Sequence, residues 1–399
     1  MPRKTDEELQ KIMADEGCDR IWSWSKWDSF FNSPYEYYLK YIAKIPEDRT
    51  DCIYTTTGTI AHDILEKFYS GELTYEEMIE SFNDGWVAAY SIGDMKFDRN
   101  DEERNKKIGN KYYADLKHFF ENHQKITYKP LLEQFAKIKV GDNLFQGYID
   151  CCFKDENGII YIWDWKTSSQ YKGEKVKEKS GQLVLYALSL IQNGIPMDKI
   201  RIAWNFLKYV TVTTPLKNGT VKERVIERFE LGDKLKSNVK TWLKDAKYSN
   251  EEIEDYLEQL VMTNDIKCLP KEIQEKYTFK DCVTFIPLTQ DLIDYWVDLI
   301  LKVINQIEYC EDEYKKSGSE KAFWDTDEQV AKQSYYFATL CGYSPQLHKP
   351  YGEYLSRLEA QKNGDTTFFG VGDDIGSNVT PLGNSNNNDD TDLSWLDKI

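Results

Sequence analysis

The sequence has no excess of positive charge. Its 51 Lys and Arg stand against 68 Asp and Glu, a formal net charge of −17. A passive nucleic-acid coat neutralises phosphate with a basic surface, so that class is disfavoured. An enzyme with a carboxylate-rich centre and local phosphate contacts is not excluded. No apolar run approaches the roughly 20 residues that span a bilayer. The opening MPRKTDEELQKIMADEG lacks the apolar stretch of a secretory signal. The expected setting is therefore a cytoplasm, without membrane attachment. The 8 cysteines are scattered and no CxxC pair occurs, which argues against a disulfide framework. Adjacent Cys151 and Cys152 read as opposite faces of one strand. There is no internal repeat and no GxxxxGK[ST] phosphate loop, hence no sign of an ATP motor.

What is present is length and aromatic content. With 399 residues, 41% of them hydrophobic, 27 Tyr and 11 Trp, the chain can bury a sizeable core. Residues 19–45 read as a short helix capped by Ser25 or Ser23, a turn at Ser33-Pro34 and a second helix. Residues 59–70 form another, with Gly58 just before it and Ile60, Ile64 and Phe68 on one face. Residues 74–125 are charged and helical in pattern.

The period then changes. Residues 131–140, 143–153 and 159–167 read as an antiparallel meander of three strands. Gly141-Asp142-Asn143 and Asp155-Glu156-Asn157-Gly158 supply the turns. A helix at 178–192, a strand at 200–212 and a hairpin partner at 222–231 follow. The pattern is then mainly helical, with an amphipathic helix at 289–308. Four regions result: a helical N-terminal region 1–130, a core of sheet and helix 131–232, a mainly helical region 233–361, and an acidic, disordered tail 362–399 rich in Asn, Asp, Ser and Gly. The fold class is α/β (α+β), a mixed sheet flanked by helices with helical additions at both ends.

The strand 159–167 carries an unusual face. Side chains two apart point the same way, so Ile160, Ile162, Asp164 and Lys166 align, an acid and a base ending a buried strand. Its neighbour places Tyr148, Asp150 and Cys152 together, and Glu133 begins the strand before. Three carboxylates and one ammonium gather at one sheet edge. Mg²⁺ takes one or two carboxylates plus waters and substrate phosphate, and it both stabilises phosphorane charge and acidifies an attacking water. In such a site Asp150 and Asp164 are the metal ligands. Glu133 is a further ligand or water holder, and Lys166 orients the water or contacts the phosphate. Taken alone, a DxK strand is more often a cross-strand salt bridge.

The ordered motifs go further. Gly147-Tyr148-Ile149-Asp150, Asp164-Trp165-Lys166 and Gln182-Leu183-Val184-Leu185-Tyr186 follow one another. Upstream lie Gly58 to His62, then Trp24-Ser25-Lys26-Trp27 and Ser33-Pro34-Tyr35. This order resembles the PD-(D/E)XK nuclease superfamily, and within it the RecB-like branch of AddB and CRISPR-associated exonucleases. The resemblance covers roughly residues 20–210. It implies a restriction-endonuclease-like core and cleavage of DNA dependent on Mg²⁺ or Mn²⁺, by an exonuclease serving recombination, repair or phage DNA metabolism in a bacterial or phage-infected cell. It also implies that His62 approaches the metal and that Gln182 and Tyr186 support the site from one helix face. Many of these relatives hold an iron–sulfur cluster on four cysteines. Here Ser33 replaces the first, and Cys341-Gly342-Tyr343-Ser344 has one where two are needed, so no cluster is expected.

Lys172, Lys175, Lys177 and Lys179 form either a DNA-backbone grip or a solvated loop. The aromatic run from Trp22 to Phe31 reads as packing before base stacking. The tail's end, DDTDLSWLDKI, is similar to the C-terminal tails with which single-stranded DNA-binding proteins recruit partners, which implies a replication or repair protein there. Plain disorder is its simpler reading. Two rival functions stay open: a silent nuclease-like scaffold that binds DNA or a partner, and the nuclease subunit of a helicase–nuclease complex. Intact Asp150, Asp164 and Lys166 count against the first.

Overall fold

A computed structural model describes residues 3–48, 53–216, 219–343 and 348–363; the tail expectation lies outside them. Helix α1 (Asp6–Asp15) starts at a Thr5–Glu8 capping box. After β1 (Ile21–Ser23), Ser23 accepts from the Lys26 amide and so caps α2 (Trp24–Asn32). Ser33 ends that helix in extended backbone, as a residue before proline prefers, and its hydroxyl caps α3 (Pro34–Tyr37). Helices α4 (Ile53–Ser70), α5 (Tyr75–Trp86) and α6 (Glu102–Asn122) follow. Gly58 stands inside α4, not before it: the helix begins earlier because Ile53 and Thr57 extend its buried face.

The meander is β2 (Leu131–Val140), β3 (Asn143–Lys154) and β4 (Ile160–Lys166), all antiparallel. Helices α7 (Glu174–Lys179) and α8 (Gly181–Gln192) cross over to β5 (Ile200–Pro215), which runs parallel to β4 and antiparallel to β6 (Val221–Glu227). Then come α9 (Leu231–Asp245), α10 (Asn250–Thr263) and α11 (Lys271–Gln274). Strand β7 (Thr278–Ile286), which the helical reading of this stretch passed over, pairs antiparallel with β5. The long α12 (Gln290–Ser317) and the shorter α13 (Asp327–Lys332), α14 (Ser334–Thr339) and α15 (Lys349–Lys362) complete the described chain.

The result is an α/β arrangement: one mixed seven-stranded sheet with helices on both faces. One face packs on α2, α3, α8 and α12 through Trp27, Leu183, Trp204 and Trp296. The other packs on α4, α5 and α6 through Cys151, Phe153, Trp165 and Leu207. Cys152 joins the first core and Cys151 the second. Each buried Trp removes about 150–250 Å² from water, worth roughly 4–6 kcal/mol before ordering entropy is subtracted. Trp22, Trp27 and Phe30 are spent on this packing; Phe31 stays 39% exposed. Among the described residues no helix is long and apolar enough to cross a membrane.

Candidate active site

The site is a fork in the sheet. Strand β3 has β2 on one side from Asn143 to Cys152; on the other it meets β1 at Leu144–Gln146 and β4 only from Cys151. Between them, Gly147–Asp150 has no strand neighbour on that side, because β4 beyond Trp163 turns away with β5. Asp150 fills the gap: its Oδ2 accepts from the Trp165 amide at 3.3 Å, doing what a ladder carbonyl would do.

Strand β3 also changes face here. Ile149 and Cys152 enter the same core although they are three apart. Tyr148 instead lies outside against Phe135, with ring centroids 5.6 Å apart. The expectation that Tyr148, Asp150 and Cys152 share one face is therefore corrected. The cause sits across the ladder at Glu133, whose φ of 48° places it in the left-handed region. Such strain in a non-glycine strand residue costs on the order of 1–3 kcal/mol and clusters at functional sites.

Asp164 and Lys166 share a face as the strand period requires. Asp164 is buried, and the Lys166 ammonium stands 2.9 Å from its Oδ1 and 2.7 Å from its Oδ2. Burial pulls the Lys166 pKa down, but Asp164 and Asp150 outweigh that and leave it raised. Burial, then the adjacent charge of Asp164, pushes the Asp150 carboxyl well above the usual range.

His62 reaches the fork from α4. Its Nε2 is 2.8 Å from the Trp165 carbonyl, which can only accept, so Nε2 carries the proton. Nδ1 is then a bare acceptor, 3.6 Å from Asp150 Oδ2. Burial lowers the His62 pKa and keeps the ring neutral. Two acceptors facing each other call for a proton or a cation. This donor set, one imidazole and two carboxylates, suits a hard divalent ion that keeps open positions. Among the described residues no three His, Cys, Asp or Glu side chains close around one point. The Lys166 ammonium lies against Asp164, and Glu133 is drawn to Arg3 at 3.7 Å.

Gly147 and Tyr186 fit together. A Cβ on Gly147 would stand 2.6 Å from Tyr186 Cε1, so only glycine lets α8 seat its tyrosine on β3. Gln182 Nε2 donates to the same phenol at 3.1 Å. The substitution Gly147→Ala is expected to cost about 1–3 kcal/mol through overpacking. Thermal melts of Gly147→Ala, Tyr186→Ala and the double variant check this: the double should lose less than the summed singles, and strict additivity would refute the fit.

Above the fork an open cleft of about 610 Å³ is walled by α4 residues including Gly58, His62, Asp63 and Glu66, with Glu133, Lys166 and Arg3 opposite. A smaller cavity of about 240 Å³ lies beside Arg228 and Asp281 and includes none of the fork residues.

The model of the PD-(D/E)XK nuclease superfamily matches residues 21–280. The chain belongs to that superfamily. No individually curated protein matches it. Membership brings nuclease chemistry, hydrolysis of phosphodiester bonds, and PD-(D/E)XK nucleases typically use divalent metals such as Mg²⁺ or Mn²⁺.

For this nuclease the fold gathers His62, Asp150, Asp164 and Lys166 closely, with Glu133 on the cleft wall and Gln182 and Tyr186 behind. The four lysines Lys172, Lys175, Lys177 and Lys179 are all exposed. Lys179, with Lys166, is close enough for its charge to act on Asp28 of α2; Lys177 lies 3.8 Å over the Tyr295 ring, and Lys172 is near Cys282. Ser33, where the sequence resemblance expects a cluster cysteine to be replaced, donates its hydroxyl to buried Asp325 at 3.0 Å. Cys341 is buried with its carbonyl bonded by Arg99; Ser344 falls outside the described residues. Sequence reading missed Arg3, Asp63 and Glu66. Arg3 sits in no motif, and the two acids look like ordinary helix surface until the cleft is seen.

Proposed function

We propose that this nuclease is a divalent-metal-dependent deoxyribonuclease of the RecB-like branch, most simply an exonuclease, in DNA recombination, repair or phage DNA metabolism. The observation that carries the reading is the fork. His62 Nδ1 faces Asp150 Oδ2 at 3.6 Å, beside buried Asp164 and the Lys166 ammonium. Asp150, Asp164 and His62 would hold Mg²⁺ or Mn²⁺, which supplies charge stabilisation at the phosphorus and an acidified water.

The chain's own residues do the rest. The Trp165 carbonyl fixes the His62 tautomer so that the lone pair faces the carboxylates. The Trp165 amide orients Asp150. Lys166, held protonated by its carboxylates, contacts the scissile phosphate or orients the water instead of removing a proton. Glu133 borders the approach of that water. Gln182 and Tyr186 brace β3 from behind, through the contact with Gly147.

The test is degradation of end-labelled single- and double-stranded linear DNA beside a closed circle, with Mg²⁺, Mn²⁺ or EDTA. Lys166→Ala is expected to lower the rate at least about 100-fold, the scale of losing one transition-state donor. A spared circle supports action from ends. Folded wild-type protein that cuts nothing with either metal defeats the proposal.

A further inference from the structure

The cleft is a difficult place for a phosphodiester. Asp63, Glu66 and Glu133 stand on its walls, with Asp150 and Asp164 beneath. Among the described residues two cations line it: Lys166, which stands at the reacting centre beside Asp164, and Arg3, which is the one available to the rest of the strand.

Arg3 combines a fixed backbone with a loose head. The Lys4 amide donates to the Tyr148 hydroxyl at 2.5 Å, and Thr5 begins α1 with its capping box. The same strap continues to Glu16, which pairs with Lys137 and Lys139 on β2. The Arg3 side chain, by contrast, is 78% exposed. Its guanidinium lies 5.5 Å over the Tyr148 ring and 3.7 Å from Glu133, longer than the 2.7–2.9 Å of a tight charged hydrogen bond. The contact is long and its cationic half lies in solvent, so releasing it costs little. A phosphate offers the planar guanidinium two parallel hydrogen bonds and a full opposite charge.

We infer that Arg3 is a substrate-binding residue, which leaves Glu133 when DNA enters and takes a phosphate of the bound strand beside the scissile bond. The exchange frees the Glu133 carboxylate next to Asp150 as the substrate arrives, so strand binding completes the acidic set. This rests on the nuclease reading in taking a phosphodiester as the ligand.

The experiment measures anisotropy of a short end-labelled DNA strand with Ca²⁺ in place of Mg²⁺, alongside cleavage kinetics in Mg²⁺. Arg3→Ala should raise Kd and KM about tenfold and lower the salt slope by about one, as expected for one phosphate contact. Its kcat should fall no more than about threefold, because an interaction made equally in ground and transition states moves KM. Arg3→Lys should keep most of the affinity. Lys11→Ala, an equal charge change on the exposed face of α1, should bind like wild type. Unchanged Kd and KM in Arg3→Ala overturn the inference, and so does tighter binding, which would make the segment a plug. Wild-type protein that binds no DNA overturns it as well. Protein that binds DNA through Arg3 but cuts nothing sinks the nuclease reading and leaves this contact standing.

Discussion

Asp150→Asn is expected to lower DNA cleavage at least about 10³-fold while making the metal-free protein more stable, by on the order of 1 kcal/mol. The carboxyl is buried next to Asp164, and its raised pKa reflects burial first and that neighbouring charge second. An amide keeps the shape and can still accept from the Trp165 amide, while the repulsion disappears. The pH dependence follows from the direction of the shift. A carboxyl whose folded pKa exceeds its unfolded value of about 3.9 contributes stability that is complete below that value and lost as pH rises through the folded pKa. Asparagine does not titrate. The stability gap between variant and wild type should therefore be absent below about pH 3.9, open as pH rises from there, and close when Mg²⁺ is added to the wild type. Melting curves in EDTA and in Mg²⁺, taken upward from about pH 3.5, test this. A variant less stable than wild type at alkaline pH in EDTA would mean that Asp150 is a structural acceptor, not a strained ligand.

The second large effect lies away from the cleft. Arg228 is 1% exposed; its Nε donates to the Leu207 carbonyl at 2.9 Å and Nη2 to Asp281 Oδ1 at 3.0 Å. His123 Nδ1 approaches the other Asp281 oxygen at 3.2 Å. Burial would raise the Asp281 pKa, but His123 and Arg228 outweigh it and hold the carboxyl below its ordinary value. Arg228→Met strands that charge inside the protein, an error of about 3–5 kcal/mol. At this chain length that is roughly 4–6 °C in Tm. Combining Arg228→Met with Asp281→Asn removes the stranded charge yet leaves an acceptor for His123, and should recover more than half of the loss. Calorimetry of the three proteins decides it. A single variant costing under about 1 kcal/mol, or a double worse than the sum of its singles, would show that the pair is not what joins β5 to β7.

Much of the site was legible because it is written in local periods. Asp164 and Lys166 share a face by the two-residue repeat of a strand, and Gln182 and Tyr186 by the four-residue repeat of a helix. The turns at Gly141 and Gly158, both at positive φ, were readable from residues that tolerate it. Strand β7 was not readable: Lys280 and Asp281 interrupt its apolar pattern, and Asp281 becomes a plausible strand residue only once Arg228 arrives from β6's end. The same limit hid the face change of β3, since nothing near Glu133 announces a left-handed residue.

By itself, then, the sequence determined the meander, the crossover helix and which side chains each element could offer to chemistry. All of these follow from backbone periods acting over a few residues. Tertiary structure alone decided what stands beside what. It let β4 part from β3 so that Asp150 accepts from a backbone amide. It set the bare nitrogen of His62 against that carboxylate, 88 residues along the chain by position. It also laid Arg3 across the mouth of the cleft. Those contacts join segments far apart in sequence, and their energies exist only after the core has been buried and the water between them removed.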